Sequence, residues 1–151
     1  MAPQLTPDEQ EIWRGWITST RRLYTQLGQE MQAEFGLSMG DYEILLQLAE
    51  SPERRLRMSE LATLTLSSRS RLSHQIDRLV RDGSVARAAN PDDRRGLFAV
   101  LTDAGQTMFE QAEPFHIEGV RSKIFDVLTK RELAAVANAS SKVLTNLDQG
   151  T

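Results

Sequence analysis

The chain has 151 residues, of which 40% are hydrophobic and 26% charged, and its formal net charge is −3. These values are typical of one globular domain and argue against a disordered, fibrous or membrane protein. The sequence contains no cysteine and only two histidines, which excludes a disulfide scaffold, a thiolate zinc site and a thiol redox switch. No apolar run approaches the roughly 20 residues that span a bilayer, and residues 1–11 lack the pattern of a signal peptide. We therefore expect a cytoplasmic protein without a metal or cofactor.

Positive charge is concentrated in the middle of the sequence. Residues 54–95 contain ten arginines and five acidic residues, a local charge of +5, so the rest of the chain carries −8. A basic centre between acidic ends favours contact of the centre with a polyanion, although a solvated charged face has the same composition.

Two helices are predicted in the first third of the chain. Helical spacing of apolar residues predicts a long amphipathic helix over Pro7–Phe35, with Thr6 as its N-cap and Gly36 as its C-cap. A second helix begins at Ser38 and ends before Pro52, because proline disfavours a helical residue ahead of it.

Two shorter helices and a hairpin follow. The helices cover Met58–Leu64 and residues 67 or 68 to 82, the latter burying Leu72, Ile76, Leu79 and Val80. From Val85 to Leu101 the helical period is lost, and two β-prone pieces flank a turn-rich stretch, which predicts a hairpin. Thr102 caps a fifth helix, and a sixth covers residues 130–147.

The predicted fold is mainly α with a small β-hairpin, a winged helix-turn-helix with long terminal helices. Residues 1–35 form an N-terminal dimerisation helix, residues 38–102 the DNA-binding region, and residues 103–151 a linker with further dimerisation helices, all within one compact domain. The terminal helices carry more apolar surface than a monomer of this size covers, which indicates a homodimer.

The second short helix can enter the major groove of DNA, because two helices joined by a turn and followed by a hairpin form a compact reading head. Its polar residues separate by face from its packing residues. The predicted DNA-contacting set is Ser67, Ser68, Arg69, Ser70, Arg71, Ser73, His74 and Gln75. Arg69 and Arg71 are the best candidates for reading bases, since arginine can donate two hydrogen bonds to guanine. The alternative is a solvated helix in which Ser67 or Ser68 acts as a cap.

The hairpin tip reads Asn-Pro-Asp-Asp-Arg-Arg-Gly over residues 90–96. Arg94 and Arg95 on a narrow protrusion can lie along phosphates or enter a narrow minor groove. Asp93, two residues before Arg95, can hold its guanidinium in one rotamer and so reduce the ordering cost of binding. The alternative is a turn that carries incidental charge.

Four short stretches carry a family resemblance. They read Met-Ser-Glu-Leu-Ala at 58–62, Ser-His-Gln-Ile-Asp-Arg-Leu at 73–79, Asp-Arg-Arg-Gly at 93–96 and Val-Leu-Thr-Asp-Ala-Gly at 100–105. With the helix order, they resemble the MarR family of bacterial transcription regulators over about residues 8–147; the wing followed by Leu-Thr-x-x-Gly is the most specific part. The resemblance implies a homodimer joined by its terminal helices that binds pseudo-palindromic promoter DNA, usually as a repressor released by a small ligand. It places the wing arginine at Arg95 and the recognition helix at residues 67–82.

The chain departs from this family at two positions. Arg57 stands where many relatives carry a capping Thr or Ser, and Leu66 stands where a turn glycine is common. The absence of cysteine excludes the thiol oxidation that some relatives use, which leaves a small-molecule effector or no effector.

A ligand pocket would lie where the dimer helices meet the reading head, because binding there can change the separation of the two recognition helices. Candidate lining residues are Trp16, Tyr24, Tyr42, Phe109, Phe115 and His116. For each of them, ordinary core packing is the favoured alternative.

The sequence therefore predicts a DNA-binding transcriptional regulator whose partners are double-stranded DNA and a second copy of itself. It shows no nucleophile motif, phosphate loop or metal-ligand spacing, so we do not expect an enzyme. The alternative function is a winged-helix interaction module whose basic head binds an acidic protein partner.

Overall fold

The structure is a computed structural model that describes residues 4–150, except for the side chains of residues 93–95. The helices are α1 (Pro7–Phe35), α2 (Met39–Glu50), α3 (Met58–Leu64), α4 (Arg69–Arg81), α5 (Asp103–Val120) and α6 (Lys130–Gln149). The strands are β1 (Arg55–Arg57), β2 (Val85–Asn90) and β3 (Asp93–Leu101). A 3₁₀ turn, Pro52–Arg54, precedes β1, and a π-helical turn, Arg121–Phe125, follows α5. The predicted fold class, mainly α with a small antiparallel β element, is confirmed.

The chain divides into two compact units, Met1–His116 and Ile117–Thr151. The first contains α1 to α4, the sheet and most of α5, and the second contains α6. Among the described residues, no helix combines the length and the apolar character that crossing a bilayer requires.

The first two helices both have N-terminal caps. Thr6 caps α1 as predicted, whereas Ser38, which we predicted as the first residue of the second helix, is its N-cap, and α2 begins at Met39. The Thr6 hydroxyl accepts a hydrogen bond from the Glu9 N–H at 3.3 Å, and the Glu9 carboxylate accepts one from the Thr6 N–H at 2.7 Å. Ser38 and Asp41 form the same reciprocal pair at the start of α2, with distances of 3.1 and 3.3 Å. At the other end of α1, Gly36 has φ 68°, the left-handed conformation that suits glycine in a C-cap.

The core of the first unit is formed mainly by α2, α3, α4 and the sheet. Leu27 and Met31 of α1 and Phe109 and Ala112 of α5 complete it. Its largest fully buried side chains are Met31, Ile44, Leu45, Leu48, Leu61, Leu72, Ile76, Leu79 and Val85. Val80, which we predicted to be buried with the other apolar residues of α4, is 37% exposed. That prediction was wrong because Val80 lies about 100° around the helix from Leu79, at the edge of the buried face.

The predicted hairpin is part of a three-stranded antiparallel sheet with the order β1-β3-β2. Arg55 of β1 pairs with Val100 and Arg57 pairs with Phe98. The Arg55 guanidinium also lies 5.1 Å from the centre of the Phe98 ring, within the range of a cation–π interaction. A strand of three residues is too short for an alternation of apolar and polar residues to reveal it, and the sequence did not predict β1.

The Leu-Thr-x-x-Gly stretch forms the junction between β3 and α5. The Thr102 hydroxyl donates to the Gly83 carbonyl at 2.6 Å and accepts from the Gly105 N–H at 3.0 Å, so Thr102 caps α5 as predicted. The Thr102 N–H donates to the Ser84 carbonyl at 3.1 Å. A Cβ at Gly105 would collide with the carbonyl oxygen of Ser84, which is backbone and cannot move independently. The motif therefore needs glycine for close packing of the helix start against the chain before β2.

The HTH turn, residues 65–68 between α3 and α4, contains a residue in the left-handed conformation that is not glycine. Leu66 has φ 51° and its side chain is 95% exposed. A β-carbon in this conformation costs about 1 kcal/mol. The turn is closed by the Ser67 N–H, which donates to the Ala62 carbonyl at 2.9 Å. At the start of α3, the Arg57 N–H donates to the Glu60 carboxylate at 3.2 Å, so one half of a capping box persists although Arg57 cannot accept.

Replacing Gly105 by alanine should lower the free energy of unfolding by about 3 kcal/mol, because the new methyl group overpacks against backbone. Gly15 of α1 is the matched control, since a Cβ there would have no neighbour within 4 Å. Gly15→Ala should raise stability by about 1 kcal/mol through helix propensity. Urea denaturation of both variants measures the difference; an equal effect of the two would contradict the packing argument.

Replacing Leu66 by glycine should raise the free energy of unfolding by about 0.5–1 kcal/mol, because glycine relieves the left-handed strain and the exposed side chain buries little. Leu66→Ala removes the same side chain but keeps the strain, so it should leave stability unchanged. If urea denaturation gave the same result for both variants, backbone strain would not be the cause.

Candidate nucleic-acid interface

Helix α4 presents a polar face opposite its buried face, as predicted. Leu72, Ile76 and Leu79 are at most 1% exposed and pack into the core. The exposed residues of the helix include Arg69, Ser70, Arg71, His74, Arg78 and Arg81. Five of these six side chains can donate hydrogen bonds from nitrogen, which suits a surface that faces phosphates and base edges.

The two serines at the start of α4 have different local roles. Ser68 is the N-cap, and its hydroxyl accepts from the Arg71 N–H at 3.2 Å. The Ser67 hydroxyl donates to the Thr65 carbonyl at 3.4 Å, within the HTH turn. The sequence left the cap open between these two residues, and the structure assigns it to Ser68.

Arg71 lies beside a carboxylate on the side of α4 that faces α1 and α2. The Tyr24 hydroxyl donates to Glu43 Oε1 at 3.2 Å. Burial raises the pKa of Glu43, while the Tyr24 hydrogen bond and the charge of Arg71 oppose that rise. Burial, followed by the charge of Glu43, raises the pKa of Tyr24. Arg71 also lines a cavity of about 620 Å³ between α1, the start of α2 and α4. This predicted base-reading residue is therefore flanked by the first two helices.

Gln75 is buried, although the sequence predicted it on the DNA-contacting surface. Its residue exposure is 8%, and its side-chain amide packs so closely over Gly40 that a Cβ there would collide with Nε2. Within the described residues, Gln75 Oε1 has no hydrogen-bond partner. This position favours packing between α2 and α4 over direct contact with DNA.

A salt bridge joins α4 to α2. Arg78 Nη2 lies 2.5 Å from Asp41 Oδ1, and the Asp41 side chain is 5% exposed. The same carboxylate also caps α2 by accepting from the Ser38 N–H. Removal of Arg78 would leave a buried carboxylate without its cation, which is strongly unfavourable. Arg78 therefore fixes the position of α4 as well as contributing charge.

A second salt bridge joins α4 to the sheet. Arg87 Nη1 of β2 lies 2.5 Å from Asp77 Oδ1. Arg87 Nη2 donates to both the carbonyl and the hydroxyl oxygen of Ser73, each at 3.3 Å. Arg87 and Asp77 are not among the site residues predicted from the sequence, because no spacing rule brings a strand residue against a helix residue ten positions earlier.

The wing is described through its backbone and the residues around its base. The predicted wing side chains Asp93, Arg94 and Arg95 lie outside the described residues. A cavity of about 360 Å³ lies between Gly96 and Leu97 of β3 and the starts of α3 and α4. Its lining residues are Arg57, Met58, Ser59, Arg69, Leu72, Gly96 and Leu97. Two arginines therefore line the groove between α4 and the wing.

Three of the predicted ligand-pocket residues form a ring cluster, in which Tyr42 and Phe109 are buried and His116 is partly buried. Tyr42 and Phe109 are 3% and 6% exposed and stack with centroids 6.0 Å apart, and His116 lies 4.6 Å from Tyr42. Burial, followed by the charges of Glu113 and Glu50, raises the pKa of Tyr42 to about 12, and burial lowers the pKa of His116.

The other three predicted pocket residues do not join that cluster. Phe115 contacts Phe35 edge-on, with ring centroids 5.4 Å apart. Trp16 and Tyr24 lie on α1 and are 41% and 49% exposed. Among the described residues, no group of three or more histidine and acidic side chains is arranged to hold a metal ion.

The known proteins to which this chain is similar are transcriptional regulators. The MarR family profile matches residues 35–96. The HTH-type transcriptional repressor YetL of Bacillus subtilis is 33% identical over 85 residues, 56% of this chain and 51% of that protein, so the chain spans about half the length of this relative.

Two solved structures from Streptomyces coelicolor match nearly the whole chain. The MarR family transcriptional regulator AbsC is 42% identical, with a TM-score of 0.92 over 99% of this chain and 100% of that one. Sco3205, a MarR family transcriptional regulator solved in complex with DNA, is 39% identical, with a TM-score of 0.93 over 97% of this chain and 92% of that one. These two relatives are 42% and 39% identical to this chain over nearly its whole length, and they have the same fold. The chain therefore belongs to the MarR family of transcriptional regulators.

Proposed function

We propose that this chain is a sequence-specific repressor that binds a pseudo-palindromic operator as a homodimer. The observation that carries the proposal is the exposed polar face of α4, which presents Arg69, Ser70 and His74. Of these, Arg69 also lines the groove at the base of the wing. A helix with this face fits the major groove, and the wing arginines Arg94 and Arg95 would contact the adjacent backbone or minor groove. Residues 38–102 are the proposed DNA-binding region.

Relatives support this proposal in two separate respects. Sco3205 is described in complex with DNA, and YetL is described as a repressor. Because this chain is 39% identical to Sco3205 over nearly its whole length, we expect it to bind DNA as well, and α4 is the helix that we propose for this contact. Repression follows when an occupied operator overlaps a promoter, so the sign of regulation depends on where the operator lies.

The homodimer is supported by apolar side chains that the chain leaves exposed. On α1, Ile12 and Trp13 are 70% and 55% exposed, and on α6, Leu144 and Leu147 are both 61% exposed. Apolar groups at helical spacing on two long helices are typical of surfaces that are covered by a partner. A second copy of the chain would cover both and would present two recognition helices about one helical turn of DNA apart.

Release of the operator by a small ligand stays a prediction. The cavity of about 620 Å³ beside Arg71 is lined by residues of α1, α2 and α4, including Tyr24 and Gln75. A ligand there would touch the proposed dimerisation helix and the recognition helix together, so it could alter the angle between them.

Arg95→Ala should weaken binding to operator and scrambled duplexes by similar factors, because a wing contact to phosphate carries no sequence information. Arg69→Ala should cost about 1–3 kcal/mol on the operator and much less on scrambled DNA, because it removes a contact to a base edge. Fluorescence anisotropy titrations of both variants on both duplexes measure these losses, after selection of the operator from a random DNA pool.

The wild-type chain should retain weak binding to random duplex at low salt, and its affinity should fall steeply as salt rises. If neither variant changed affinity for either duplex, the interface would be assigned incorrectly. If the wild type bound no duplex at low salt but bound an acidic protein partner, the interaction-module function would replace the DNA-binding one.

Trp13→Glu should convert the dimer to a monomer, because it places a charge in the proposed apolar interface. Thr18→Glu is the matched control, since residue 18 lies on the opposite side of α1 from the apolar stripe. Sedimentation equilibrium measures the mass of both. A wild-type protein that sediments as a single subunit would reject the homodimer.

A further inference from the structure

We propose that Arg87 is a positioning residue that presents the Ser73 hydroxyl to DNA as a hydrogen-bond donor. This inference rests on the proposed function, because it concerns how the DNA-binding face of α4 is prepared. Arg87 lies on β2, outside the recognition helix, and it reaches that helix through three hydrogen bonds to two residues.

The contacts of Arg87 leave its guanidinium little freedom. One nitrogen lies 2.5 Å from Asp77 Oδ1, and the other lies 3.3 Å from both Ser73 oxygens. The Arg87 side chain is 31% exposed, less than the 47% of the Asp77 side chain. An arginine whose charge is already paired with a carboxylate of the protein contributes less to the neutralisation of a phosphate than an unpaired one.

The hydrogen bond to Ser73 fixes the direction in which its hydroxyl can act. Because Arg87 Nη2 donates to Ser73 Oγ, one lone pair of that oxygen is occupied and a cation lies beside it. The nearby positive charge disfavours a second donor and strengthens the hydroxyl as a donor. Within the described part of the chain, the Ser73 hydroxyl donates to no acceptor. Its proton is therefore available for an acceptor on DNA.

Asp77 holds the Arg87 guanidinium against α4, and its own charge is neutralised by that arginine. An acidic residue on α4, four residues after Ser73, would repel DNA phosphates if it were unpaired. Its salt bridge with Arg87 cancels that charge and holds the guanidinium against the helix. The pair is therefore neutral towards DNA, and the polar contact it supports is the one made by Ser73.

The test is a double-mutant cycle with duplex affinity as the readout. Ser73→Ala should weaken operator binding about tenfold, the value of one lost hydrogen bond. Arg87→Ala should weaken it by at least as much, and adding Ser73→Ala to Arg87→Ala should cost no more than about a further threefold, since the hydroxyl has already lost its orientation. Ser73→Thr keeps a hydroxyl and should retain binding. Fully multiplicative losses would overturn the proposal.

The salt dependence of binding separates positioning from direct contact with phosphate. Asp77→Asn combined with Arg87→Gln removes the ion pair without changing the net charge of the chain. If Arg87 positions Ser73, the slope of log affinity against log salt should stay at the wild-type value. A slope smaller by about 0.9 would mean that Arg87 itself contacts a phosphate, and the proposal would fail.

Controls distinguish this proposal from general effects. Arg121→Ala breaks an exposed ion pair of 3.6 Å with Asp126 in the second unit and should not change affinity. Scrambled DNA identifies the acceptor: equal losses for Ser73→Ala on both duplexes indicate a phosphate oxygen, and a loss on the operator alone indicates a base edge. A wild type that binds no duplex would overturn both this proposal and the proposed function, whereas additive losses with a binding wild type would overturn this one alone.

Discussion

Two salt bridges fix α4, the proposed recognition helix, against its neighbours, and the geometry of the candidate interface depends on them. Arg78 joins α4 to Asp41 of α2, and Arg87 of β2 joins the sheet to Asp77 of α4. Apolar packing through Leu72, Ile76 and Leu79 holds the helix in the core but permits small rotations, because hydrophobic contacts have little directionality. The two arginines lie on different sides of the helix and resist such rotations with directional hydrogen bonds.

The two salt bridges also reduce the positive charge that this region presents to solvent. The basic centre of the sequence contains many arginines, yet Arg78 and Arg87 are paired with acidic residues of the protein, and Arg71 lies near Glu43. A paired arginine contributes less to attraction of a polyanion than an unpaired one. The positive surface available to DNA is therefore narrower than the composition indicates. Arg57 and Arg69 line the groove beside the wing, and Arg81 is exposed at the end of α4.

The two ends of α4 are positioned by close packing at Gly105 and by the left-handed conformation of Leu66. Thr102 and Gly105 bring α5 against the segment that follows α4, so the end of α4 and the start of the wing share one compact junction. At the other end of α4, the HTH turn accepts a left-handed leucine and keeps the geometry that glycine would supply. Both ends of the helix are thus set by backbone constraints, while its exposed face remains free to vary in sequence.

The sequence by itself determined the order of the helices, the caps at Thr6, Gly36 and Thr102, and the polar face of α4. These features depend on local rules, since caps act within one turn and helical periodicity is visible in the order of residues. Tertiary structure alone decided that Gln75 is buried over Gly40, that Val80 is partly exposed, and that a three-residue strand joins the hairpin. It also brought Arg87 against Ser73 and Asp77. Each of these depends on contact between residues far apart in sequence, or on a few degrees of helix rotation, and neither leaves a periodic signal along the chain.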